Sequence, residues 1–183
     1  MLAAGAGALG LSLGAFAQDK EALETGANED LMREHGILRR ALFVYAEASH
    51  RARIAPGTLP LPQLLATAQL FRSFGEEYHE RQLEEQYIFP VVRRRDAQAA
   101  QFVDVLHAQH QPGRDITAYI VRVAQRARLA PADAQPLAGA LDGLVAMYGP
   151  HAAREDTDLF PVWKKAIGAR AYAEMASRWP SGC

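Results

Sequence analysis

From Asn28 onward, hydrophobic residues recur at three- and four-residue steps along the chain. Leu31, His35, Leu38, Leu42 and Tyr45 share one stripe, which predicts a helix capped by Asn28 and ended near Ile54 by Ala55-Pro56-Gly57 and Pro60. A second helix is predicted from Pro62 to the Arg93-Arg94-Arg95 run, which suits a solvated helix C-terminus. A third covers Ala97 to Arg128, with a disturbance at Pro112-Gly113. A fourth starts near Asp133 as its cap, meets Gly149-Pro150, and continues through His151 to Ile167. A short helix follows over Ala169 to Arg178. No stretch alternates as a strand does. The fold class expected is all-α: an antiparallel up-down-up-down four-helix bundle over residues 28–167, followed by a C-terminal helix and tail over 168–183.

Composition narrows the function classes. A chain of 183 residues with 49% hydrophobic residues suits one domain with its own core. The 20 basic and 21 acidic residues leave a net charge of -1, which argues against a nucleic-acid partner. Cys183 is the only cysteine, so an internal disulfide, a cysteine zinc site and a Cys-x-x-Cys-His haem attachment are all excluded. Cys183 itself is assigned no role. Met1 to Ala17 carries no charge and ends Ala15-Phe16-Ala17, a small-x-small pattern. It is read as an export signal without the usual basic start, directing the chain to the periplasm or outside, with no stable membrane span remaining. If the segment is not a signal, the chain is cytoplasmic.

The candidate chemistry lies in the histidines. His35 is on the first helix, His79 on the second, His107 and His110 on the third, and His151 on the fourth. A bundle can turn all five into one interior, which is how metal sites are built in bundle cores. Taken singly, an inward histidine is more often a hydrogen-bonded core residue. His107 and His110 are three apart and share a face. His50 is read as solvated or capping.

Two segments resemble one another. His79-Glu80-Arg81-Gln82-Leu83-Glu84-Glu85 leads to Phe89-Pro90, and His151-Ala152-Ala153-Arg154-Glu155-Asp156 leads to Phe160-Pro161. Each has a histidine, paired acids and Phe-Pro. Mixed nitrogen and oxygen ligands suit iron. His151 and Glu155 have i,i+4 spacing, whereas His79 and Glu84 are five apart, about 140° around a regular helix. A π-bulge restores that alignment, or Glu80 replaces Glu84, or the ligand shell differs. Spacing alone leaves Glu155 and Asp156 as alternatives. Glu85 is read as a solvated helix-face acid.

Together with Glu34-His35-Gly36, these pieces resemble the hemerythrin-like (HHE cation-binding) family over residues 28–167. The resemblance implies a four-helix bundle holding two non-haem irons with a bridging oxo or hydroxo group. Its ligands would be His35, His79, His107, His110 and His151, with Glu84 and either Glu155 or Asp156 as bridging carboxylates. It implies binding of O2, or of another diatomic or peroxide, in a carrier, store or sensor without a catalytic acid–base residue. With readier water access, the same site would serve an oxidase or a peroxide- or NO-processing enzyme. Leu38, Leu42, Phe71, Ile88 and Leu159 are the expected apolar lining. The family's usual spacing is four for the second-helix His–Glu pair and for the third-helix His–His pair. Here His79–Glu84 is five and His107–His110 is three, so Glu84 and His107 are the departures. A ferritin-like oxidase would repeat Glu-x-x-His. Glu76-x-x-His79 matches once, but Tyr148 stands at the equivalent place before His151. A metal-free helical interaction domain is the remaining alternative.

Overall fold

Helix α1 (Ala27–Ile54) starts two residues earlier than a cap at Asn28 implies. The computed structural model describes residues 26–176; the expectations for residues 1–17, the end of the last helix and Cys183 lie outside them. Gly26, in an extended conformation, holds the N-cap position, and Asn28 lies inside the first turn. Asn28 is therefore not the cap. Its backbone N–H donates instead to the Tyr172 hydroxyl at 2.9 Å, so a distant residue satisfies a freed helix-end donor.

The second rod is continuous but changes pitch. Helix α2 (Leu61–Leu70) passes into a π-helical segment (Phe71–Ile88), and α3 (Phe89–Arg95) completes it. Gly75 lets this rod approach α1: a Cβ there would meet the Leu38 side chain at 3.0 Å.

Helix α4 (Ala97–Ala124) is capped by Asp96, whose carboxylate accepts from the Gln98 and Ala99 amides at 3.0 and 2.9 Å. It ends at Ala124 rather than Arg128, and it does not break at Pro112. Ala108 and Pro112 are exposed, so water can serve the carbonyl that loses its partner there.

Helix α5 (Pro131–Arg154) opens on Pro131, which needs no N–H at that position. Asp133 is not its cap: it sits in the first turn and pairs with Arg126. Gly149-Pro150 causes no interruption. A π-helical turn (Glu155–Leu159) then leads into α6 (Phe160–Ala176), which kinks at Gly168, where φ of 80° requires glycine. No strand occurs among the described residues.

Four long helical rods thus carry the chain, and two apolar cores hold them. One joins Leu38, Leu42, Tyr45, Leu64, Phe71, Ile120, Leu141 and Tyr148. The other joins Leu31, Leu83, Ile88, Phe89, Val103, Leu106, Phe160 and Trp163. His35 lies between Leu31 of one core and Leu38 of the other on the same face of α1. The buried polar layer described next is therefore sandwiched between two apolar ones.

Candidate metal centre

Each rod brings one imidazole into this layer. His35, His79, His110 and His151 are all at most 2% exposed, and Glu84 and Glu155 are fully buried. The π segment solves the spacing of the second rod. Its i→i+5 hydrogen bonding brings residues five apart toward a common face, and His79 Nε2 lies 3.3 Å from Glu84 Oε1. On the fourth rod the four-residue step places His151 Nε2 3.1 Å from Glu155 Oε1.

The second oxygen of each carboxylate crosses to the opposite pair of rods. Glu84 Oε2 lies 3.4 Å from His110 Nε2, and Glu155 Oε2 lies 3.3 Å from His35 Nε2. Two groups result, His35 with His79 and His110 with His151, each completed by both glutamates; the ligand atoms of a group all lie within 4.8 Å of one another. None of these four nitrogens and four oxygens makes a hydrogen bond, although all are buried. Eight unpartnered polar atoms converging in a dry interior would be costly by themselves. A shared cation resolves the cost.

The other nitrogen of every ring is occupied. His35 Nδ1 meets Asp156 at 2.7 Å, His79 Nδ1 meets Glu34 at 2.6 Å, His110 Nδ1 meets Glu85 at 2.7 Å, and His151 Nδ1 meets the Gln109 amide oxygen at 2.9 Å. A ring that donates through Nδ1–H presents the Nε2 lone pair inward, which is the tautomer a metal requires. Arg39 clamps Asp156 at 2.6 Å, and Arg114 clamps Glu85 at 2.5 Å. Phe160 stacks on His35 and Phe89 on His110, with ring centroids 5.6 and 5.5 Å apart. The two Phe-Pro motifs therefore brace two of these rings.

Charges in the layer reinforce one another. Burial alone would lower the pKa of His110, but the Glu84 and Glu85 carboxylates outweigh it and raise the pKa to about 10. His79 and His35 are raised in the same way, against burial, by Glu84 and Glu34 and by Asp156 and Glu155 respectively. Burial opposes ionisation of Glu84 and Glu155, yet the histidines hold both below the usual carboxylate range. The carboxylates of this layer favour positive charge beside them, and a bound cation would supply it.

Several expectations need correction. His107 is exposed and belongs to neither group. Three residues fall 60° short of a full turn, so with His110 directed inward His107 reaches the rim, edge-on to Phe89 at 6.2 Å. Asp156 stands behind His35 rather than among the eight central atoms, and Glu155 takes the inner place. Glu80 does not replace Glu84: it pairs with Arg114 at 3.0 Å. Glu85 is not a solvated surface acid but the partner of His110. His50 is exposed. Leu38, Leu42, Phe71, Ile88 and Leu159 are buried as expected, but Tyr148 and Glu76 are buried as well, so the surroundings are not wholly apolar.

The supporting roles of Glu34, Arg39, Gln109 and Arg114 escaped the sequence reading. The signal for them was a second internal repeat: Glu34-His35-x-x-x-Arg39 on α1 and Gln109-His110-x-x-x-Arg114 on α4. His107 has no histidine counterpart in that repeat, since Met32 stands at its place.

Buried imidazoles and carboxylates from four helices, with a hydrogen-bonded outer shell, fit a bound transition-metal cation. Comparison with known proteins agrees. The chain is 42% identical over 157 residues to uncharacterized proteins of Mycobacterium tuberculosis and Mycobacterium bovis. The aligned region covers 82% of this chain and 58% of theirs, so the chain spans just over half the length of these relatives. No solved structure matches it. The family model described as the hemerythrin HHE cation-binding domain matches residues 26–163, and the chain belongs to that family.

Proposed function

We propose that this protein is a non-haem di-iron protein whose centre binds O2 or a reduced form of it, in an up-down-up-down bundle whose short connections favour that order. The observation that supports this reading is the convergence of four Nε2 atoms and four carboxylate oxygens, all buried and without hydrogen-bond partners. His35 and His79 would hold one ion and His110 and His151 the other, with Glu84 and Glu155 shared between them. A pair of ferrous ions held there would supply two electrons to an oxygen species. The protein contributes orientation and insulation: Glu34, Asp156, Glu85 and Gln109 fix the rings, and the two apolar cores limit water.

A second reading, turnover of peroxide on the same centre, is favoured by the absence of His107 from the shell. Four imidazoles in place of five would supply one fewer protein nitrogen to the metal and leave more room for an exogenous ligand. Tyr148 adds a buried hydroxyl beside His151, their rings 5.4 Å apart. Anaerobic ferrous loading with metal analysis, followed by exposure to air, tests both readings. Two irons per chain and an O2-dependent visible band that reverses on deoxygenation indicate a binder. Two irons with catalytic loss of added peroxide indicate the enzyme. Absence of bound iron refutes both.

A further inference from the structure

The two helical copies that supply His79 and His151 diverge three residues before each histidine, where one has Glu76 and the other Tyr148. Tyr148 is 1% exposed, and its hydroxyl has no hydrogen-bond partner. Its ring packs edge-on against Phe71 at 5.0 Å and lies 5.4 Å from the His151 ring. One helical turn before His151 on the same helix, the phenol stands as a neutral hydrogen-bond donor against a ring of the centre. None of the four ligand rings needs it, because each already has an Nδ1 partner. An unpaired phenol in a dry core is costly unless something at the centre accepts its proton in a hydrogen bond.

We propose that Tyr148 is the protein's hydrogen-bond donor to the small ligand at the metal centre, and that it makes the centre select ligands that carry negative charge and accept hydrogen bonds, such as peroxide, over weakly accepting diatomics. This rests on the di-iron reading above. The repeat supports it: the copy that carries Glu76 has a carboxyl group in this position in place of a phenol, so the phenol serves the His110–His151 side. It also gives the divergence between the copies a chemical meaning, because a carboxylate at residue 148 would repel the ligand that a phenol attracts.

The test uses azide as the anionic probe of the oxidised, iron-loaded full chain and nitric oxide as the weakly accepting probe of the reduced one. Tyr148→Phe keeps the ring and removes only the oxygen. It is expected to retain the wild-type iron content, to weaken azide about tenfold, the effect of one hydrogen bond to a charged group, to shift the azide-dependent visible band, and to leave nitric oxide affinity within about twofold. Glu76→Gln is expected to leave azide binding as in the wild type. Unchanged azide affinity and band position in Tyr148→Phe would overturn the proposal. So would equal weakening of both probes, or a Glu76→Gln variant that reproduces Tyr148→Phe, since either would make Tyr148 a packing residue. A wild-type chain that binds no iron would instead remove the di-iron reading, and this inference with it.

Discussion

The half of the centre built on His35 and His79 differs from the half built on His110 and His151 in what stands behind the rings. The first half is backed by two carboxylates, Asp156 and Glu34. The second is backed by one carboxylate, Glu85, and one neutral amide, Gln109. Arg39 and Arg114 clamp the outer acids in both halves. The arginine of the second half is more deeply placed, with its side chain 11% exposed against 37% for Arg39. An anion behind an imidazole makes the ring a stronger donor to metal, and a nearby guanidinium opposes that effect. The two halves share a ligand pattern but differ in electron supply. The His35–His79 half should bind its ion first and should stabilise the higher charge state better.

The comparison breaks most completely at the residues the halves share. Glu84 and Glu155 each extend one oxygen to each half. Glu155→Ala is therefore expected to weaken both ions together, by more than about a hundredfold, because a direct ligand counts for more than an outer partner. Metal content after dialysis against a chelator measures this. His35→Ala should release one ion and retain the other. Retention of one tight ion in Glu155→Ala would show that the carboxylate serves a single half.

Exchanging the outer partners sharpens the contrast. Glu34→Gln gives the first half the neutral backing of the second, and Gln109→Glu does the reverse. The first change should weaken the first ion about tenfold, and the second should strengthen the other ion by a similar factor. Calorimetric titration with a divalent ion should show two resolved steps in the wild type, and these should draw together in each single variant. Identical titrations for wild type and Glu34→Gln would mean that the halves are equivalent.

How much of this was legible in the sequence depends on which physical period carried the information. The helical stripe through Leu31, His35, Leu38 and Leu42 identified the first rod, and the repeated His-acid-Phe-Pro segments marked the parts of the second and fourth that enter the buried polar layer. The five-residue step from His79 to Glu84 was readable as a departure from α-helical pitch, and the π segment is its resolution. Helix starts were less legible. Asn28 and Asp133 carry good capping side chains, but a tertiary hydroxyl from Tyr172 and the fixed φ of Pro131 determine the first turns instead. The outer shell was hidden for a different reason. Glu34 and Gln109 adjoin their own α-helical histidines but serve histidines on other rods, 45 and 42 residues away. Local spacing does not report a pairing made across the bundle.

Acidity acts on both halves through the same ring protons, with smaller effects than ligand removal. In the metal-free protein His110 is raised from 6.5 to about 10, so the folded state binds a proton that the unfolded chain has lost between those values. Its contribution to stability is fully present below pH 6.5 and disappears as pH rises toward about 10. Denaturant midpoints of the metal-free protein should fall across that interval. Metal affinity should move in the opposite direction, because the ion must displace the proton, and loading in weakly buffered solution should release acid. Glu85 behaves in the acid range. Burial opposes its ionisation, but His110 and Arg114 hold it at about 2, so its stabilising effect is present above 4.5 and is lost as pH falls toward about 2. Affinity independent of pH between 6.5 and 10 would show that the ring protons do not compete with the ion.

The smallest effect is expected at the histidine that belongs to neither half. His107 is exposed at the rim, its imidazole 6.0 Å from the His110 ring and edge-on to Phe89. It makes no bond to a central carboxylate, and the α1 counterpart of its position is Met32, which is also exposed. His107→Ala should leave the metal content and both titration steps unchanged, with folding stability altered by no more than about 0.5 kcal/mol, as for other surface substitutions. The same change at His110 removes a ring that Glu85 orients and Phe89 braces, so the pair of variants three residues apart isolates position within the helix from residue type. Loss of one ion in His107→Ala would require α4 to rotate on loading, bringing a fifth imidazole to the His110–His151 half. That half would then no longer be the weaker donor, and the order in which the two ions bind would reverse.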